Sequence, residues 1–175
     1  MMARLNLTLR ARLLLLSALI AFSAGCARDG WTLGERAPRV VVHQHPSWTT
    51  ELLPARGSVT VMAVWASWCS ACQTTPGAMA ALAASEPTWV VRTLSIDERD
   101  AFEAFLDGGS RGDEAWRGQL RWWGQRGYRA TGVQSIPAYL VFDGERRWVG
   151  RHEGPLDGPS LQRWARAELD AGPAR

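Results

Sequence analysis

The stretch Ser58–Trp65, SVTVMAVW, does most to restrict the folds open to this chain. It is nearly all apolar and rich in β-branched residues. That is the pattern of a strand buried on both faces, as at the centre of an α/β sheet. Just beyond it stand Cys69-Ser70-Ala71-Cys72, and from there the composition switches to small helix formers: Ala71, Ala78, Met79, Ala80, Ala81, Leu82, Ala83 and Ala84, stopped by Glu86-Pro87. A cysteine pair at a strand-to-helix junction has a specific chemical use. The first sulfur falls at a helix N-terminus, where unpaired backbone N–H groups and the helix dipole favour a thiolate, the attacking species in disulfide exchange. The second lies one turn on, within reach to resolve a mixed disulfide. A purely structural bridge over so short a loop constrains little of the unfolded chain. Structural zinc wants four ligands, and no second cysteine pair exists.

The remaining pattern is read coarsely. Arg39–Gln44, with Val40-Val41-Val42, predicts a first strand, and Ser47–Leu53 a short helix capped by Ser47, ended by Pro54 and Gly57. Thr88–Ile96 reads as a strand and Glu98–Asp107 as a helix with Phe102, Phe105 and Leu106 inward. After Gly108, Gly109 and Gly112, Glu114–Arg126 reads as a second helix, with Trp116, Leu120 and Trp123 at helical spacing. A loop over Gly127–Ile136 leads to an apolar strand, Ala138–Phe142. Asp143-Gly144 then signals a hairpin, so Arg146–Glu153 is expected to pair antiparallel with that strand. Leu161, Trp164, Ala165 and Leu169 form the apolar face of a closing helix. The expected class is α/β, a mixed sheet with helices on both faces.

Two separated motifs resemble the thioredoxin superfamily. One is Trp68-Cys69-Ser70-Ala71-Cys72 at the end of the buried strand. The other is Ser135-Ile136-Pro137 opening a later strand, followed by Asp143-Gly144 and Gly154. Within that superfamily the chain looks most like exported, membrane-tethered members of the TlpA/ResA type, including ScsD-like relatives. The likeness rests on the export segment, the Trp65-Ala66-Ser67-Trp68-Cys69 opening and extra helical material at 98–126. The resemblance implies a thioredoxin fold with a helical insertion before the strand that follows a cis Pro137. It implies that Cys69 and Cys72 are catalytic, that Trp68 borders the client groove, and that Ile136 and Pro137 pair with an incoming peptide. It also implies no cofactor beyond the redox-active disulfide, client proteins with thiols or disulfides, and a membrane thiol reductase of the DsbD/CcdA type serving cytochrome c maturation or disulfide repair. Three positions depart from the family. Ala63 replaces a common buried Asp, Thr75 replaces the Glu usual in TlpA-type reductases, and Pro76 sits one place early. Two acids that help deprotonate the resolving cysteine are therefore missing from their expected places. Ser70-Ala71 does not fix a potential on the family's span of about −270 to about −120 mV.

Before this domain, Arg4, Arg10 and Arg12 precede the apolar run Leu13–Phe22 and the small residues Ser23-Ala24-Gly25. That order reads as a secretory signal over residues 1–25, and the run is too short to span a bilayer. Cys26 follows directly, as in a bacterial lipobox, although Ser23 stands where Leu is usual. The stretch suits lipidation of Cys26 and ordinary signal cleavage alike. Residues 26–38 read as a tether and 39–171 as the thioredoxin-like domain, exported and extracytoplasmic. The formal +3 charge belongs to the signal: without its three arginines, 17 basic residues face 17 acidic ones. That balance gives no support for nucleic-acid binding.

Other residues invite functional readings. Trp116, Trp122 and Trp123 beside Arg117, Arg121 and Arg126 suggest either a docking surface or an amphipathic helix with a solvated arginine face. His43 and His45 share a strand face and are candidates for half of a metal site. A copper-handling or redox-inactive module is the alternative class, with His152 as its distal histidine.

Overall fold

Six consecutive buried residues form the central strand, Thr60–Trp65. The computed structural model describes residues 31–108 and 114–172. The residue 1–25 signal and Cys26 lie outside them. In chain order the strands are β1 (Val40–Gln44), β2 (Thr49–Leu53), β3 (Thr60–Trp65), β4 (Val90–Ser95), β5 (Leu120–Trp122), β6 (Ala138–Phe142) and β7 (Trp148–Glu153). The helices are α1 (Thr75–Ser85), α2 (Arg99–Asp107), α3 (Glu114–Gln119), α4 (Gly124–Arg129) and α5 (Gly158–Ala171), with a 3-10 turn at Ser70–Thr74.

The strands make one mixed sheet in the order β2-β1-β5-β4-β3-β6-β7. β3 runs parallel to β4 (Val61 opposite Val91) and antiparallel to β6 (Ala63 opposite Tyr139). The period of two divides β3 between two cores. Met62 and Val64 pack with Val42, Leu53, Leu140 and Trp148 on one face. Val61 and Ala63 pack with Met79, Leu82, Tyr139 and Leu161 on the other, beneath α1 and α5. A strand that must satisfy two apolar layers has no room for polar alternation, which is why its sequence is continuous in hydrophobicity. The hairpin β6–β7 forms as the Asp143-Gly144 signal predicts. The Asp143 carboxylate accepts from Glu145 N (2.9 Å) and Arg147 N (2.8 Å), closing the loop.

Three expectations are corrected. Residues 49–53 are not helix but β2, paired antiparallel with β1 from Val40–Leu53 to Gln44–Thr49. Trp48, at φ 51°, turns the chain back. In this strand Leu53 is fully buried and Glu51 reaches two arginines, which a surface helical turn would not allow. The helix expected over Glu114–Arg126 is broken into α3, β5 and α4. β5 extends the parallel edge of β4 (Thr93 opposite Leu120) and Gly124 takes φ 73°, a conformation costly for other residues. Within this stretch Trp116, Trp123 and Arg121 are buried, so no tryptophan–arginine surface forms from them. Finally, the tether read over residues 26–38 is docked where it is described. Trp31 packs against Trp123, Phe142 and Trp148, Gly34 N donates to Trp148 O (2.7 Å), and Ala37 is buried. A tryptophan placed there gains more by covering this aromatic cluster than by staying in water.

Candidate active site

The C-terminal end of β3 delivers the chain into the cysteine motif. Ile96 N donates to Trp65 O (3.0 Å), keeping β3 and β4 together to their ends. Beyond that point the segment 66–69 leaves the sheet, and its backbone needs new partners. Asp97 supplies them. Its carboxylate, on a residue only 1% exposed, accepts from Ser67 N (2.9 Å), Ser67 Oγ (3.0 Å) and Ser95 Oγ (2.8 Å). The Trp122 indole N–H donates to Asp97 O (2.9 Å), which ties β5 to the same corner.

Cys69 then caps the 3-10 turn, with extended backbone (φ −83°, ψ 105°), and Cys72 N donates back to Cys69 O (3.1 Å). The α-helix proper begins only at Thr75, later than the sequence suggested. Pro76 accounts for the delay. It has no N–H to give to Cys72 O, so a continuous α-helix from Cys69 is not available, while its ring suits a first turn. Cys72 O instead takes Thr75 N.

Cys69 and Cys72 are joined as a disulfide, with Cα atoms 5.3 Å apart. The two sulfurs are not equivalent. Cys72 is 2% exposed, whereas Cys69 is only half-buried. The Ile136–Pro137 peptide bond is cis and lies beside them, with Ile136 O 3.8 Å from Cys69 Sγ. The fold thus brings Pro137 and Ile136 to the cysteines across 64 or more residues of sequence. Trp68 stands next to Cys69 at 67% exposure, turned to solvent.

A cleft of about 360 Å³ opens against the disulfide, walled by Trp65, Phe105 and Trp116 and floored by Cys69, Cys72 and Pro76. The three aromatic rings meet edge to face at 5.1–6.0 Å. Phe105 and Trp116 come from the segment 98–126, so the extra helical material builds a wall of the site. The indole nitrogens of Trp65 and Trp116 are buried without a hydrogen-bond partner.

Of the two positions where an acid is missing, Thr75 is fully buried and its Oγ1 lies 3.5 Å from the Tyr139 hydroxyl. Ala63 sits opposite Tyr139 in the β3–β6 register, in the same packed layer. A phenol and a small aliphatic side chain therefore fill the space. Asp97 is the buried carboxylate of this end of the sheet, and sequence reasoning missed it. Its signal was an Asp directly after a strand and two residues beyond Ser95, easily read as no more than a helix entry.

The histidine pair gathers around Trp48, with ring centroids 6.3 Å (His43) and 5.9 Å (His45) away. His152 lies between Tyr139 and Trp164, tilted to both, with ring centroids 6.3 Å and 5.7 Å away. Among the described residues no group of three or more His, Cys, Asp or Glu side chains is placed to hold a metal ion. No helix among them is long and apolar enough to cross a membrane.

No protein-family profile and no curated protein matches the chain. Solved structures do. The exposed lipoprotein thioredoxin Etrx1 of Streptococcus pneumoniae aligns at TM-score 0.62 and 19% identity, over 74% of this chain and 99% of that one. StoA of Bacillus subtilis aligns at TM-score 0.57 and 15% identity, over 74% and 98%. A thiol:disulfide interchange protein of Chlorobium tepidum, described as a thioredoxin family protein, aligns at 0.58 and 15%, over 77% and 95%. With the cysteine pair at the end of β3 and a cis-proline loop against it, this chain has the thioredoxin fold.

Proposed function

We propose that the protein is an exported thiol:disulfide oxidoreductase of the TlpA/ResA type that exchanges disulfides with client proteins through Cys69 and Cys72. The observation that carries this reading is the inequality of the two sulfurs: a half-buried Cys69 beside the Ile136 carbonyl, and a buried Cys72 behind it. An incoming client can reach Cys69 and not Cys72. In the reducing direction the Cys69 thiolate attacks a client disulfide, forms a mixed disulfide and expels one client thiolate. The Cys72 thiolate then attacks Cys69 Sγ, expels the second client thiolate and leaves the Cys69–Cys72 disulfide, so two electrons pass to the client. The oxidising direction reverses each step. Ile136 and Pro137 supply the backbone edge on which a client segment lies, and Trp68 borders the approach. No cofactor beyond the dithiol is required.

The N-terminal signal and Cys26 support export with a lipid anchor, and the similarity to an exposed lipoprotein thioredoxin agrees with it. In this reading a membrane thiol reductase of the DsbD/CcdA type keeps the pair reduced, for cytochrome c maturation or disulfide repair. The first test is substitution. Cys69→Ser abolishes exchange with a protein disulfide, and Cys72→Ser accumulates mixed disulfides that dithiothreitol releases. Full exchange activity in Cys69→Ser would sink the proposal. A glutathione titration then sets direction: a potential near about −250 mV or lower marks a reductant, and one near about −150 mV or higher an oxidant or isomerase.

A further inference from the structure

The loop that leads into Ile136–Pro137 is gripped from β7 by two side chains of opposite charge. Arg151 and Glu153 stand two apart on that strand, so they share a face. Arg151 Nη1 donates to Gly132 O (3.2 Å). Glu153 Oε2 accepts from Ser135 N (2.9 Å), Ser135 Oγ (3.0 Å) and Gln134 N (3.2 Å). Arg151 Nε lies 3.7 Å from Glu153 Oε1, and Gly154 N donates to Pro137 O (2.8 Å). Both ends of segment 132–135 are thereby fixed to β7. The residue that follows, Ile136, turns its carbonyl oxygen toward Cys69 Sγ at 3.8 Å.

A surface carboxylate is ordinarily content with water. This one is engaged by two consecutive backbone N–H groups and a hydroxyl, all from the residues just ahead of the cis peptide. Bonds to a charged acceptor are the strong ones. Burial raises the Glu153 carboxyl, but the donors on Gln134 and Ser135 and the charge of Arg151 outweigh it and hold the group below its usual range. The acceptor is therefore an anion at neutral pH.

We infer that Glu153 is a positioning residue for client docking: through Gln134 and Ser135 it sets the direction of the Ile136 backbone against which a client polypeptide aligns beside Cys69. The inference rests on the proposed disulfide exchange and deepens it. Loss of the grip loosens the docking edge without touching either sulfur. A polypeptide disulfide, which needs that edge, is then handled less well, whereas a small disulfide, which needs only Cys69, is not.

The test compares two probes: insulin, turned over with dithiothreitol recycling the dithiol, and the small aromatic disulfide dithiobis(nitrobenzoate), reacted once with pre-reduced protein freed of dithiothreitol. For Glu153→Gln, KM for insulin rises roughly tenfold, with kcat and the small-disulfide rate within about twofold of wild type. Ser135→Ala removes one of the three bonds and keeps the carboxylate, so it reports even if Glu153→Gln folds poorly. Its KM for insulin rises roughly two- to threefold. Unchanged KM in both variants, with wild type active on insulin, overturns this inference alone. Parallel loss on both probes also overturns it, because the damage then lies in the dithiol. Wild-type protein inert toward both probes overturns the proposed exchange and this inference with it.

Discussion

Asp97 engages both carboxylate oxygens at a depth where water cannot replace them. An Asn there has one acceptor oxygen and turns an N–H₂ toward the donors of Ser67 or Ser95. Asp97→Asn is expected to lower stability by about 2–3 kcal/mol in urea unfolding, since a buried donor is left facing a donor. A change under half of that would mean the corner is held otherwise. The Thr75–Tyr139 hydroxyl contact is longer, at 3.5 Å, and belongs to a different regime. Tyr139→Phe is expected to cost about 1 kcal/mol, because the ring keeps its packing and only two long contacts go, the one to Thr75 and one accepted from Leu156 N, also at 3.5 Å. At this scale the sequence exposed what chemistry demands. Cys69, Cys72 and Pro137 could be picked out because each belongs to a compact motif at a strand end, and the fold brings the two motifs together. Asp97 stayed hidden because its main partner, Ser67, lies 30 residues away and nothing local marks the pairing.

β2, β5 and β4 are cross-linked by one charge cluster: Glu51 Oε2 lies 2.9 Å from Arg92 Nε and 2.7 Å from Arg121 Nε. Arg121 is 4% exposed, so its charge depends on this partner. Glu51→Gln leaves that guanidinium buried and unneutralised. A loss of roughly 2–4 kcal/mol is expected in denaturant unfolding, toward the lower part of the range for broken buried pairs because Glu51 itself is partly exposed. Burial raises the Glu51 carboxyl, but Arg92 and Arg121 together hold it below its ordinary 4.5. A lowered folded-state value means stability that is present above pH 4.5 and lost as pH falls through the folded value. Wild type and Glu51→Gln should accordingly converge in stability on acidification below that pH, and a constant gap would refute the assignment. The same cluster shows why these two elements were misread. Ser47 followed by Glu51 is a credible helix start, and Trp116, Leu120 and Trp123 keep helical spacing. In both places local preference was overruled by a long-range ion pair and by sheet positions left open beside β4 and β1. β3, β4, β6 and β7 were legible because continuous apolar runs and a turn signal need no distant partner to be recognised.

Across the molecule, the sheet separates two apolar layers, and the segment from Trp31 closes one of them. Trp31 meets three aromatic rings at 5.6–6.1 Å. Trp31→Ala is expected to cost about 2–4 kcal/mol, measured as a lower melting temperature or denaturant midpoint, and a change within error would show the strap to be dispensable. The layered architecture could be read from the sequence, since the helices Arg99–Asp107 and Gly158–Ala171 each show one apolar face and β3 is apolar on both. The docking of Trp31 could not, because a single tryptophan among glycines and charged residues has no periodicity to betray a partner. It alters how far the domain could range from a lipidated Cys26. Thirteen free residues would span up to about 45 Å, but with Trp31 pinned only the five steps from Cys26 remain, about 18 Å at full extension. Such a domain would be berthed against the bilayer, with its working radius set by where residue 31 is fastened, and a Gly/Ser spacer inserted after Gly30 would enlarge the shell of clients it can visit while leaving its chemistry as it was.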